Sequence, residues 1–175
     1  LVSVLDKAGV SFGIIGKEES CCGESVRKIG AEDTFNALAE ANIKLFKERG
    51  VKKIITTSPH CLYTFRNEYP ELGGDFEVIH YTQLLERLLR EGKIKPSREL
   101  GKKVIFHDPC YLGRHNEIYD APRHVLDAMG ATERLEMDLC GPESICCGGG
   151  GGRIWMETPP GARFGDLRVA DAVAK

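Results

Sequence analysis

The sequence predicts an α/β fold built from two duplicated lobes, each with a mostly parallel sheet and helices on both faces. Segments with strand-like and helix-like apolar spacing alternate along the chain and are joined by short loops. The segment 5–9 (LDKAG) is matched by 126–130 (LDAMG), and the Cys-Cys-Gly at 21–23 is matched at 146–148, with offsets of 121 and 125 residues. Strands that alternate with helices form parallel sheets covered on both sides, so each lobe is expected to be Rossmann-like.

The first lobe is predicted to contain four helices and three strands, with boundaries marked by capping residues, glycines and prolines. In chain order they are a helix over 1–8, a short buried strand over 11–15, a helix from Asp33 or Thr34 to Gly50, a strand over 51–56, a short helix over 61–67, a strand over 76–80 and a helix from Thr82 to Gly92. The polar stretch 91–102 contains Gly and Pro and is the predicted linker.

The second lobe is predicted to repeat this order. A strand over 103–107 is followed by a helix from about Asp120 to Gly130, a strand over 131–137 and a glycine-rich loop. The expected division is 1–98 for the first lobe and 99–175 for the second. The phase of the repeat further predicts that the chain starts inside its first unit and stops inside its second.

The overall charge argues against several classes of partner. Lys plus Arg (24) nearly balance Asp plus Glu (26), so the formal net charge is −2. This balance removes the electrostatic basis for binding nucleic acid, and no nucleic-acid partner is expected. No apolar run reaches the roughly 18 residues of a membrane helix, and the N-terminus does not resemble a signal peptide.

Cysteine usage gives the strongest functional signal. Seven cysteines, two pairs of them adjacent, do not suit a secreted disulfide framework. Adjacent cysteines rarely bond each other, because the ring closed across one peptide is strained. Two thiolates on a tight turn can instead face a metal or an inorganic cluster, which keeps them deprotonated. The cysteines therefore predict a reduced, intracellular, metal-binding protein.

Six cysteines lie in loops that follow predicted strands. The first set is Cys21, Cys22 and Cys61, and the second set is Cys110, Cys146 and Cys147. Open α/β sheets bind ligands at the carboxyl ends of their strands, so each set can converge on one site. Soft thiolates suit zinc, copper(I) and iron–sulfur clusters. The glycines at 148–152 would leave room for a bulky cluster and turn backbone N–H groups toward it.

Several other residues could be given a functional role, but a simpler structural interpretation is sufficient for each. Cys140 falls outside the pattern and is interpreted as a small buried hydrophobe. His60 and His107 are interpreted as hydrogen-bonding loop residues rather than metal ligands. The glycine run is not a dinucleotide-binding loop, since Arg153 stands where the third glycine of that motif is required.

A lone cysteine followed by Cys-Cys-Gly resembles the cysteine-rich CCG domain of heterodisulfide reductase catalytic subunits. Here 35 residues separate Cys110 from Cys146, and the run 107–114 (HDPCYLGR) is similar to the start of that family's second motif. Relatives include the iron–sulfur subunits of glycolate and lactate oxidation systems and membrane-associated iron–sulfur oxidoreductases. The resemblance covers nearly the whole chain.

The resemblance implies a [4Fe-4S] cluster, of the unusual non-cubane type, at each Cys-Cys-Gly motif, with five cysteines around each. By position, Cys21, Cys22 and Cys61 would serve the first site, and Cys110, Cys146 and Cys147 the second. Ser58 stands where the family has the first Cys of Cys-x-x-Cys, so it is either a degenerate ligand position or an ordinary turn hydroxyl. With three thiols at each site, zinc is the alternative metal.

Two function classes follow. The resemblance implies an iron–sulfur oxidoreductase component that relays electrons or reduces a disulfide, working with a flavoprotein or another electron-transfer protein, or with a quinone-linked partner at a membrane. It also implies a cytoplasmic location, or one at the cytoplasmic face of the membrane. The alternative is a non-catalytic zinc-binding or structural module that assembles an electron-transfer complex.

Overall fold

The computed structural model describes residues 1–175 and contains seven α-helices and four β-strands. The helices are α1 (Val2–Lys7), α2 (Glu24–Lys28), α3 (Glu32–Glu48), α4 (Pro59–Tyr63), α5 (Tyr81–Arg90), α6 (Asp120–Ala128) and α7 (Phe164–Val173). The strands are β1 (Lys53–Thr56), β2 (Glu77–His80), β3 (Lys103–Ile105) and β4 (Glu133–Leu135). The predicted α/β class is confirmed.

The strands form two separate parallel sheets of two strands each. In the first sheet, Lys53 of β1 lies opposite Glu77 of β2. In the second, Lys103 of β3 lies opposite Glu133 of β4. Parallel neighbours need a crossover connection, and the helical segments that follow β1 and β3 provide it. The prediction of parallel pairing is confirmed, and the strands are shorter than the sequence suggested.

Helix α3 organises the core because its apolar residues recur at helical spacing. Phe35, Ala39, Ile43 and Phe46 are all buried along one face of this helix. They pack in one cluster with buried residues that follow β1 and with residues from the second half of the chain. Those partners are Leu62, Phe65, Tyr69, Val78, Leu112, Ile118 and Ala121. The two halves therefore share a hydrophobic core.

Further contacts join the halves away from this core. Helix α5 packs against α6, and the His124 Nδ1 atom lies 2.6 Å from a Glu86 carboxylate oxygen across that contact. The predicted linker contains no helix or strand between α5 and β3. Its end is nevertheless fixed, because the Leu100 N–H donates to the Met129 carbonyl at 2.9 Å.

One predicted element is wrong. The segment 11–15 forms no strand and runs into a 3₁₀ turn at Gly16–Glu18. Phe12 and Ile14 are exposed there, Ile14 by 71%. An apolar segment becomes a strand only where a neighbouring strand pairs with its backbone, and no strand runs beside this one.

Several predicted boundaries shift. Helix α5 begins at Tyr81 rather than after a Thr82 cap, because the His80 side chain and Gln83 form a reciprocal capping box. Helix α3 begins at Glu32, with Ala31 before it. The short helix expected over 61–67 starts at Pro59 and continues as a π-helical turn over Thr64–Glu68. Helices α2 and α7 had no counterpart in the prediction.

None of the helices combines the length and the hydropathy that crossing a bilayer requires.

Candidate metal centre

A buried asparagine holds the first cysteine pair in place. Asn42 of α3 is 1% exposed, and its amide oxygen accepts a hydrogen bond from the Ser20 N–H at 3.1 Å. Its amide nitrogen donates to the Cys21 carbonyl at 3.1 Å and to the Tyr69 hydroxyl at 3.0 Å. The same hydroxyl donates to the Cys22 carbonyl. A polar side chain on the apolar face of α3 thus fixes the backbone that presents both thiols.

Cys22 and Cys61 are in direct contact. Cys61 lies in the first turn of α4, just after β1, where the Ser58 hydroxyl caps the helix by accepting from the Cys61 N–H. The Cys22 thiol donates to the Cys61 sulfur, and the two sulfurs are 3.3 Å apart. This contact raises the pKa of Cys22, which burial raises further, and it lowers the pKa of Cys61. Cys21 is exposed beside them.

A carboxylate that the sequence analysis did not single out is buried next to this pair. Glu24 is 3% exposed, and one of its oxygens lies 2.9 Å from Nδ1 of His60. Burial raises the pKa of Glu24, but interactions with His60, Ser25 and the Tyr111 hydroxyl outweigh it and leave the pKa lowered. His60 thus lies at ion-pair distance from a carboxylate through Nδ1, but the two atoms do not have hydrogen-bond geometry, and His60 belongs to α4 rather than to the expected loop. The position of Glu24 directly after Cys-Cys-Gly was the available signal.

The second site contains a buried ion pair, whose carboxylate belongs to a residue shortly after β3. Asp108 is 2% exposed and binds the Arg123 guanidinium through two hydrogen bonds of 2.7 Å each. Its carboxylate also accepts from the Gly141 N–H at 2.7 Å, and its carbonyl accepts from the Ser144 hydroxyl. Asp108 thus ties the turn that carries Cys110 to the loop that leads to the second cysteine pair.

The second cysteine pair receives hydrogen bonds from the glycines that follow it. The Gly148 N–H donates to the Cys146 sulfur at 3.3 Å and the Gly149 N–H to the Cys147 sulfur at 3.5 Å. Burial raises the pKa of the Cys110 thiol, and the thiols of Cys146 and Cys147 act in the same direction.

A cavity of about 400 Å³ opens beside Cys147. Its walls include the backbone of Gly148 and Gly149 and the side chains of Arg153 and Phe164. Thiols, backbone N–H donors and glycines without side chains are what a bulky iron–sulfur cluster needs. The second site thus has the types of residue that suit such a group, although its three thiols are not arranged around one point.

The structure brings the cysteines together unequally. Cys22 and Cys61 touch, with Cys21 beside them, whereas no sulfur–sulfur contact joins Cys110 to Cys146 or Cys147. No group of three or more His, Cys, Asp or Glu side chains is arranged closely enough to hold a metal ion. The six cysteines of the two sets accordingly stay predicted ligands.

The interactions of Cys140 and His107 do not involve either cysteine set. Cys140 is a half-buried free cysteine that precedes a 3₁₀ turn. The buried Arg168 donates to His107 Nδ1 at 3.3 Å. Burial and this guanidinium lower the pKa of His107.

His60, from the first cysteine site, contacts two segments of the second site. The His60 ring stacks on Tyr111, the residue after Cys110, with ring centroids 4.0 Å apart. The glycine-rich loop approaches the same ring so closely that a Cβ on Gly150 would lie 2.9 Å from its Cε1 atom. A side chain from the first site therefore packs between two segments of the second.

This close approach gives a testable prediction. Gly150→Ala is expected to destabilise the protein by about 1–3 kcal/mol, because the new methyl group must displace the His60 ring. Gly149→Ala is the matched control, since a Cβ there meets only the Cys147 sulfur, at an ordinary contact distance of 3.8 Å, and neither glycine has positive φ. Urea titration of both variants measures the difference, and equal stabilities would contradict the packing described.

Comparison with known proteins gives a consistent set of relatives. The model of the cysteine-rich domain family, CCG, matches residues 1–66 and 104–174. An EtfAB:quinone oxidoreductase of Syntrophomonas wolfei is 50% identical over 157 residues, which cover 90% of this chain and 22% of that protein. The probable iron-sulfur-binding oxidoreductase FadF of Bacillus subtilis is 44% identical over 98% of this chain and 24% of its own length.

A third relative comes from Methanosarcina mazei. It is one of the polypeptides of a dihydromethanophenazine:CoB–CoM heterodisulfide reductase, and it is 37% identical over 98% of this chain and 43% of its own length. The chain thus spans less than half the length of each of these curated relatives.

Proposed function

Because the chain belongs to the cysteine-rich CCG-domain family, we propose that it is the iron–sulfur part of an electron-transferring oxidoreductase. The second site carries this proposal, since Cys147 lines a glycine-walled cavity and glycine N–H groups donate to the sulfurs of Cys146 and Cys147. Relatives named as iron-sulfur-binding and as oxidoreductases support the same kind of cofactor and activity.

Cys110, Cys146 and Cys147 would hold the cluster at this site. The bound cluster supplies an acceptor for single electrons. The Gly148 and Gly149 N–H groups, which already donate to the two sulfurs of the pair, would stabilise negative charge there and so raise the reduction potential. Asp108, which is paired with Arg123, also accepts from the Gly141 N–H and so connects the segment that carries Cys110 to the loop before the second cysteine pair.

The finer features of the proposal extend to the whole chain. We assign a [4Fe-4S] cluster, in its cubane or non-cubane form, and two Rossmann-like lobes, 1–98 and 99–175, related by duplication. The match of one family model to two segments supports the duplication. In the first lobe, the counterparts of these ligands are Cys21, Cys22 and Cys61. Ser58 stands where the family has a further cysteine, so the first set has one thiol fewer than the family's.

The proposed partners are electron-transfer proteins. A relative named as an EtfAB:quinone oxidoreductase supports a flavoprotein donor and a quinone-linked acceptor. Relatives named as parts of a heterodisulfide reductase support the reduction of a disulfide instead. We place the protein in the cytoplasm or at the cytoplasmic face of a membrane, and a relative named as a membrane-anchored ferredoxin supports the second location.

Metal analysis tests the proposal against the alternative of a zinc-binding assembly module. Iron, acid-labile sulfide and zinc are quantified together in the complete protein after anaerobic purification. We expect iron and sulfide in stoichiometric amounts. One zinc per chain without sulfide would favour the assembly module, which three thiolates and a water molecule or histidine could support.

A further inference from the structure

The first cysteine site differs from the second in having two sulfurs in direct contact. Two thiolates bound to one tetrahedral metal at about 2.3 Å lie about 3.8 Å apart, whereas the Cys22 and Cys61 sulfurs are separated by 3.3 Å. Ser58, in the position of a further thiol, uses its hydroxyl to cap α4. Because Ser58 replaces one thiol, the first site offers fewer thiolate ligands than the five-cysteine cluster that the family resemblance implies.

We propose that Cys22 and Cys61 form a redox-active dithiol that low-molecular-weight disulfides convert reversibly into an intramolecular disulfide. The contact distance exceeds the length of a disulfide bond by about 1.2 Å, an approach within reach of side-chain torsion. Cys21 does not compete as a partner for Cys22, because a ring closed across one peptide is strained. This property is independent of a cluster at the second site.

Burial fixes the order of the two exchange steps. Cys61 is half-buried, whereas Cys22 is 5% exposed and belongs to the buried core cluster that also contains Tyr69. The Cys61 thiolate attacks the external disulfide RSSR, which forms Cys61–S–S–R and releases RS⁻. Cys22 then gives up its proton and its sulfur attacks the Cys61 sulfur, which releases the second RS⁻. Two protein S–H bonds are lost, two RSH molecules form, and two electrons pass to the external disulfide.

Peptide mapping tests the proposal in the complete protein. The anaerobically purified protein is equilibrated with mixtures of oxidised and reduced glutathione, quenched with acid, alkylated and digested with trypsin. Cleavage after Lys and Arg gives the peptide 18–27, which contains Cys21 and Cys22, and the peptide 54–66, which contains Cys61. We expect these peptides to become disulfide-linked at high oxidised glutathione and to separate again in excess reduced glutathione.

Three variants identify the atoms involved. Cys21→Ser, the matched control, should keep the link, and Cys61→Ser should abolish it. Cys22→Ser should leave Cys61 as a mixed disulfide with glutathione, because the resolving thiol is gone. The wild-type redox titration needs no variant, so misfolding of one variant does not obscure the result.

Two outcomes would overturn the proposal. One is the absence of the link in the wild-type protein at every glutathione ratio. The other is a link that persists in Cys22→Ser, which would assign the bond to Cys21. Iron and sulfide at the second site are measured separately, so failure of the dithiol is distinguishable from failure of the proposed function.

Discussion

Asp108→Asn is expected to lower the free energy of unfolding by about 3 kcal/mol, the low end of the range for removing one partner of a buried ion pair. The carboxylate is 2% exposed and binds Arg123 through two hydrogen bonds. The amide of the variant could not accept from both guanidinium nitrogens. Glu136 also contacts Arg123, at 2.8 Å, and would leave that charge partly compensated. Urea titration at neutral pH measures the loss.

Asp127→Asn provides the control for this loss. Asp127 also pairs with an arginine, Arg134, but its side chain is 48% exposed. An exposed pair contributes at most about 1 kcal/mol, so this variant should remain close to the wild-type protein. Equal losses in the two variants would contradict the role given to the buried pair.

The effect of Asp108 should also depend on pH. Burial raises the pKa of Asp108, but the hydrogen bonds from Arg123 and Gly141 outweigh it, and the pKa in the folded protein is lowered. A group with a lowered pKa stabilises the fold above its ordinary pKa, and this contribution disappears as the pH falls through the folded-state value. The difference between the wild-type protein and Asp108→Asn should therefore be constant from about pH 5 to pH 7 and shrink below about pH 4.

Asn42→Leu should lower the free energy of unfolding by about 2 kcal/mol, although leucine suits a buried helix face. The substitution leaves the Ser20 N–H and the Cys21 carbonyl without their partner, and unsatisfied groups of this kind cost about 1–3 kcal/mol each. Solvent near the exposed Ser20 recovers part of this cost. Released from Asn42, Cys22 should also react faster with an alkylating reagent.

The exposed Asn67 supplies the control. Its side chain makes one surface hydrogen bond, to the Tyr63 carbonyl, so Asn67→Leu should change stability by less than about 0.5 kcal/mol. Urea unfolding and the rate of Cys22 alkylation are compared in the two variants. An unchanged alkylation rate in Asn42→Leu would mean that Asn42 does not hold the cysteine segment.

Local patterns in the sequence were sufficient for much of the fold. Helix α3 carries apolar residues at regular spacing and ends near Gly50, and the strand that follows it is short and apolar, so both could be predicted. The segment 11–15 has the same apolar character, but whether a neighbouring strand pairs with it depends on residues distant in sequence. Local periodicity contains no information about that partner.

The candidate site was predictable only in part. The cysteines stay predicted ligands, chosen for their pairing, their glycines and their positions after expected strands. The strand expected before Cys21 and Cys22 does not form, so that part of the reasoning was wrong for the first pair. The residues that position them could not be predicted, because each acts through contacts between distant segments. Asn42 is a polar residue within an apolar helix face, and only its hydrogen bonds to Ser20 and Cys21 explain why it is there. Glu24 is buried because His60 and Tyr111, far along the chain, surround its carboxylate.

The most direct test of the central claim is the electron paramagnetic resonance spectrum of the complete protein, purified and reduced under anaerobic conditions. An iron–sulfur signal is expected in the wild-type protein and in Cys140→Ser, which changes a cysteine outside both sets. The signal and the iron content should fall together in Cys146→Ser and in Cys147→Ser. An unchanged signal and iron content in either of these two variants would contradict the assignment of the second cysteine pair as cluster ligands.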